Sequence, residues 1–81
     1  MSQEEIYRIL TEIFHDIFDD PGIVLRPEMS ADDVDDWDSH NHLSLIVATE
    51  MRFGVKIQTA EVEALHNVGD LVSCIERKLK R

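Results

Sequence analysis

Cysteine, glycine, proline and aromatic residues are all scarce in this 81-residue sequence, and each scarcity removes a class of protein. The single cysteine, Cys74, allows neither an internal disulfide nor a cysteine-based zinc site. Three glycines, two prolines and 6% aromatic residues are too few for many short strands joined by tight turns, so a sandwich or barrel is not expected. No apolar run approaches the roughly 18 residues of a membrane span, and no signal peptide opens the chain. The expectation is a protein of a reducing cytoplasm with no membrane insertion. Basic residues are also few. Eight stand against seventeen acids, for a net charge of −9. Nucleic acid and anionic membranes are therefore poor partners, whereas a basic protein surface is a good one.

What is present suffices for one small core. Hydrophobic residues make up 43%, too many for a disordered chain, and the length suits a single domain, 1–81. Ser2 and Glu5 form a capping-box pattern, and Ile6, Ile9, Leu10, Ile13, Phe14 and Ile17 follow at helical spacing, flanked by Tyr7 and Phe18. Asp19-Asp20-Pro21-Gly22 stops this helix. Residues 19–38 read as a long loop with eight acids: Asp19, Asp20, Glu28, Asp32, Asp33, Asp35, Asp36 and Asp38. Ile23, Val24, Leu25, Met29, Val34 and Trp37 are its apolar pins. Compact domains rarely spend so many residues on a loop without a functional reason. Its acids lack the spacing, the turn glycine and the closing glutamate of an EF-hand, so a specific calcium site is set aside.

Ser39 is the next N-cap candidate, and a helix follows to Phe53, with Gly54 as its stop. On a helical wheel Leu45, Ile46, Thr49 and Phe53 share a core face. Leu43, Val47 and Met51 fall on another, with His40 beside them. That apolar arc is too wide for one buried stripe, so the second stripe packs on the loop or meets another molecule. Val55-Lys56-Ile57 is too brief for a strand. Residues 60–65 suit a short helix pinned by Val62 and Leu65. Asn67 caps the last helix, with Asp70 in its first turn and Val68, Leu71, Val72, Ile75 and Leu79 as its stripe. Arg77, Lys78, Lys80 and Arg81 complement the dipole at its end. The fold class is all-α: a bundle of three longer helices and one short third helix, with a long loop between the first two.

Few residues could carry catalysis. Ser39 lacks the glycines of a nucleophile elbow, and His40 and His42 merely follow it along the chain. The two histidines are two positions apart, so they point to different sides of a helix, and no pair at the spacing of a helical zinc site exists. Cys74 reads as a small buried hydrophobe. There is no phosphate-binding glycine loop. No enzyme activity and no metal are expected.

The stretch Asp36-Trp37-Asp38-Ser39, followed by an apolar helix ending in Phe53-Gly54, resembles the centre of an acyl carrier protein. The likeness runs through Val55-Lys56-Ile57, the short third helix and Asn67-Val68-Gly69-Asp70 to Ile75, and the first helix matches in length and pattern. The resemblance implies a four-helix bundle of the acyl-carrier type. It implies that Ser39 carries covalent 4′-phosphopantetheine drawn from coenzyme A, and that Asp38 helps present it to a phosphopantetheinyl transferase. His40, Leu43, Val47 and Met51 would then face partner enzymes that activate or transfer acyl groups and carry basic docking surfaces, with the carrier a monomer. Two departures stand out. His40 replaces the usual leucine after the serine, and Glu50 is the only carboxylate of the second helix. Both point to a stand-alone carrier in a dedicated lipid or secondary-metabolite pathway rather than general fatty acid biosynthesis. The alternatives are an aminoacyl or peptidyl carrier, which would normally show a glycine-rich approach to the serine, and an unmodified acidic interaction module.

Overall fold

The first helix starts where its cap chemistry places it. In the computed structural model, which describes residues 2–34 and 37–79, the Glu5 amide donates to Ser2 Oγ at 3.2 Å and the Ser2 amide to Glu5 Oε1 at 3.5 Å. The helix that follows, α1 (Gln3–Phe18), buries Ile6, Leu10, Ile13, Phe14 and Phe18 along one face. It ends at Asp19, which takes the left-handed conformation at φ 51°. The Asp20 carboxylate then accepts from the Gly22 amide at 2.9 Å and turns the chain back.

Three further helices complete the bundle: α2 (Ser39–Phe53), α3 (Thr59–Glu63) and α4 (Val68–Leu79). Both α2 and α4 pack against α1. No strand is present among the described residues, and 55–57 takes no regular secondary structure. The wheel assignment of α2 holds, since Leu45, Ile46, Thr49 and Phe53 are its buried residues. Among the described residues Thr49 is the one buried polar side chain, and its hydroxyl donates to the Leu45 carbonyl at 2.7 Å, which leaves it satisfied. Gly54 ends α2 at φ 66°, a conformation that side chains with a Cβ adopt at a cost. Cys74 is wholly buried in α4.

The long loop is held from both ends. Ile23, Met29, Val34 and part of Trp37 enter the core, and Ala31–Asp33 form a single 3-10 turn. The carbonyls of Met29 and Pro27 accept from the amides of Val68 and Gly69, each at 2.8 Å. They thereby satisfy donors that the start of α4 cannot pair within the helix. Glycine at 69 is needed here, because a Cβ would stand 3.0 Å from the Pro27 carbonyl oxygen.

Three expectations are corrected. Val24 is no pin: it is 74% exposed, because alternation along 23–25 turns it to solvent while Ile23 is buried. The third helix ends at Glu63, since the amides of Ala64 and Leu65 bond to carbonyls three residues back, in 3-10 fashion. Ser39 is not the cap of α2. Asp38 is, with Oδ1 accepting from the Asn41 amide at 2.9 Å, which makes Ser39 the first residue of the helix proper. Asn67 caps α4 as expected, its Oδ1 accepting from the Asp70 amide at 2.7 Å, while Asp70 Oδ2 accepts from the His66 amide at 3.1 Å. The acids Asp35 and Asp36 and the tail residues Lys80 and Arg81 lie outside the described residues.

Leu45 and Leu43 sit on opposite faces of α2, the first wholly buried and the second 60% exposed. Leu45→Ala should cost about 2–5 kcal/mol, and Leu43→Ala should stay within about 0.5 kcal/mol of the parent. Urea denaturation of the two variants checks this; equal losses would show that both faces of α2 are packed.

Candidate functional site: the exposed serine that begins α2

Ser39 lies where a long loop becomes a helix, and its side chain is exposed. The amides of a first helical turn have no intrahelical acceptor, and the positive end of the dipole lies among them. Asp38 takes one of these donors, the Asn41 amide, and its own carbonyl accepts from the His42 amide at 2.8 Å. Asp38 therefore shapes the chain immediately before Ser39 while its exposed carboxylate adds to the negative rim. His40, next along, is exposed as the sequence implied.

Beside Ser39 opens a groove of about 390 Å³. Trp37, Asp38 and His42 line it with Ser39, Ala31 of the loop contributes a wall, and Leu65 and His66 close it from the turn after α3. Trp37 joins this groove to the core. Its indole meets Phe14 in a T-shaped contact at 5.3 Å, lies 6.3 Å from Phe18, and stacks on the His42 ring at 6.1 Å. The indole Nε1–H donates to His42 Nδ1 at 3.0 Å. Such a bond requires a neutral imidazole with its proton on Nε2, and the ring also has the Val62 backbone as a hydrogen-bond partner. Burial pushes His42 below the ordinary imidazole value of 6.5, and the Val62 carbonyl opposes part of that shift. The sequence reading singled out neither His42 as a structural partner nor the contribution of Leu65 and His66. The only local signal is the lone tryptophan five residues before a histidine, which no helical or strand periodicity explains.

The outer face of α2 is apolar. Leu43, Val47 and Met51 are 60%, 53% and 79% exposed. The charged residues of α2 are directed elsewhere. Glu50 Oε2 accepts from the Ile57 amide at 2.8 Å, and Arg52 pairs with Glu12 of α1 at 2.8 Å. The guanidinium beside Glu12 holds that carboxyl below its usual range. The described loop acids Asp19, Asp20, Glu28, Asp32 and Asp33 are all exposed, and Arg26 pairs with Glu28 at 3.5 Å. Among the described residues no three histidine, cysteine, aspartate or glutamate side chains gather as a metal site would require. None of the described helices is long and apolar enough to cross a membrane.

No family model matches the chain. Individual proteins do. It is 40% identical over 75 residues to an acyl carrier protein of Acidothermus cellulolyticus, an alignment covering 93% of this chain and 89% of that protein. It is 36% identical over 76 residues to the meromycolate extension acyl carrier protein of Mycolicibacterium smegmatis, covering 94% and 77%. An acyl carrier protein of Thermotoga maritima is 35% identical over 79 residues, covering 96% of both chains. The solution NMR structure of a holo acyl carrier protein from Geobacter metallireducens superposes with a TM-score of 0.85 at 45% identity, covering 90% of this chain and 84% of that one. With the order of the helices, the long strapped loop and an exposed serine at the start of the second helix, these similarities have one reading: the chain belongs to the acyl carrier protein family.

Proposed function

We propose that this chain holds acyl groups as thioesters on a 4′-phosphopantetheine arm joined to Ser39 Oγ, and that it presents them to partner enzymes. The observation that carries the reading is the placement of Ser39. It is exposed, begins a helix, and stands beside an open groove. The residues fit the group. A phosphodiester at a helix N-terminus meets backbone donors and the positive end of the dipole. The bound arm supplies a thiol that can form a thioester. The chain's own part is to expose the Ser39 hydroxyl, to fix it through the Asp38 cap, and to hold the preceding residue by Trp37. Among the described residues no base is hydrogen-bonded to Ser39; in this reading the transferase brings coenzyme A and the means to activate the hydroxyl.

The partners in this reading are a phosphopantetheinyl transferase and enzymes that load or consume acyl groups. Leu43, Val47 and Met51, with His40 at their head, form the docking stripe. The acids of the loop provide the attraction for basic surfaces. One relative takes its name from meromycolate extension, a specialised lipid process. A dedicated pathway suits this chain too, because the only carboxylate of α2 is bonded to the Ile57 amide and offers nothing outward. We read the chain as a single-domain, monomeric, cytoplasmic carrier rather than an enzyme; its one cysteine is buried and free.

Three outcomes test this. Incubation with coenzyme A and a broad-specificity transferase should add one phosphopantetheine to the intact mass, and Ser39→Ala should abolish it. Because Asp38 is the cap, Ser39→Ala should change stability by less than about 0.5 kcal/mol, whereas Asp38→Ala should cost about 1 kcal/mol. Modification mapped to Ser30, Ser44 or Ser73 would overturn the assignment. Val47→Glu should weaken docking or acyl transfer and leave the melting temperature almost unchanged; a large drop in that temperature would mean the stripe is packed. Steering by the acidic loop acts on association rate and is screened over about 8 Å at physiological salt. Stopped-flow association with the cognate transferase should therefore slow as salt rises, and a salt-independent rate would refute it.

A further inference from the structure

We propose that His42 is a positioning residue for Ser39: its neutral imidazole holds the indole N–H of Trp37, and its protonation frees the chain just before Ser39 and slows attachment there. The inference rests on the Ser39 reading above.

Trp37 stands two residues before Ser39, and its indole sits between the core rings of α1 and the imidazole of α2. Phe14 is wholly buried and Phe18 nearly so, which makes one side of this sandwich rigid. The other side depends on one hydrogen bond of 3.0 Å, from indole Nε1–H to His42 Nδ1. The indole N–H can only donate. A protonated imidazole also donates from both nitrogens, so proton uptake at Nδ1 sets two donors against each other and removes the bond. The same imidazole has the Val62 backbone of α3 as a hydrogen-bond partner. His42 thus ties the loop before Ser39, α2 and α3 together at one ring.

Among the described residues, none of the surrounding groups pairs with an added proton. From α1 the neighbours behind Trp37 are the uncharged rings Phe14 and Phe18. From α3 the neighbour is a backbone carbonyl; the Glu61 carboxylate of that helix is paired with Lys78 at 2.8 Å. From the turn after α3 come Leu65 and the exposed His66, itself titratable. At the start of α2 stand the exposed His40 and the Asp38 carboxylate, whose Oδ1 is occupied by the Asn41 amide. Among the described residues no salt bridge involves His42. Burial lowers the proton affinity of His42 in the fold below the ordinary value of 6.5. Its contribution is therefore complete above about pH 6.5 and is lost as pH falls through the lower folded value.

Trp37 is the only tryptophan, so indole emission reports on its surroundings without a second indole, and the His42 and His66 variants assign any titration to one ring. The experiment follows indole emission, and in parallel the initial rate of phosphopantetheine attachment by one broad-specificity transferase, from about pH 8 to about pH 5. The native chain is compared with His42→Asn, which places an acceptor that does not titrate near the position of Nδ1, and with His66→Gln. Emission of the native chain and of His66→Gln should titrate with a midpoint below about 6.5, and that of His42→Asn should be flat. The transferase's own pH dependence cancels in a ratio of rates taken at one pH. The ratio of His42→Asn to native should climb below the midpoint by up to about tenfold per pH unit, as the competent fraction of the native chain falls. Trp37→Phe, which keeps an aromatic ring but has no N–H, should be slow at every pH, with its rate relative to native rising only toward one as pH falls, and serves if the asparagine variant does not fold. Emission that still titrates in His42→Asn, a titration lost in His66→Gln, or a flat ratio of rates would each overturn the proposal. Absence of added mass on every chain would overturn the Ser39 reading and the proposal with it, while the emission titration would separately show whether the His42–Trp37 contact exists.

Discussion

The T-shaped contact between Trp37 and Phe14, at 5.3 Å, is where the core of this protein reaches its functional end. Aromatic pairs in this geometry add about 0.5–1.5 kcal/mol to the apolar area they bury. Phe14 belongs to the buried face of α1, against which both α2 and α4 pack. Trp37 ends the long loop and leads directly into Asp38, Ser39 and α2. Whatever fixes Phe14 therefore fixes the entry to α2, and with it the direction in which the Ser39 hydroxyl projects. Remove that contact and the strap at Pro27 and Met29 would still hold the middle of the loop, but its last residues would lose their deepest anchor and keep the His42 bond and the Asp38 cap.

The loop itself shows how a small chain can keep a long irregular segment in place at little cost. Its apolar residues reach the core at intervals, and two of its carbonyls serve as acceptors for the unpaired amides of α4. One set of hydrogen bonds thus satisfies the helix terminus and the loop together. The described acids, with no place in the core, are left in solvent, where their mutual repulsion is screened and their field extends outward. Negative charge collects on the approach to Ser39 instead of along α2.

The α2 helix has two faces of different use. Leu45, Ile46, Thr49 and Phe53 fill the core, and Leu43, Val47 and Met51 lie open. Its two charged residues, Glu50 and Arg52, are engaged within the molecule, one at the amide of Ile57 and one at Glu12. An apolar ridge flanked by committed charges suits a partner that matches it by shape and apolar contact, with the loop acids acting at longer range. On the proposed function, this division makes Ser39 the meeting point of an apolar ridge and an acidic approach.

The periodicity of apolar residues was enough to place α1, α2 and α4, because a 3.6-residue repeat is a local property of the chain. The caps at Ser2 and Asn67 and the stop at Gly54 were legible for the same reason, as was the split of α2 into two faces. The motif Asp38-Ser39 was legible as a resemblance. What the sequence left open is what depends on contacts between distant segments. Whether Asp38 or Ser39 caps α2 turns on where the loop delivers the chain, and tertiary packing at Trp37 decided it in favour of Asp38. Val24 and Ile23 are both apolar and adjacent; only the core's position chose which one to bury. The neutral state of His42 arises from burial and from an indole five residues away, against the pull of a carbonyl on another helix. No local pattern encodes such a meeting, because a hydrogen bond between side chains of different elements exists only once packing has brought them to within 3.0 Å.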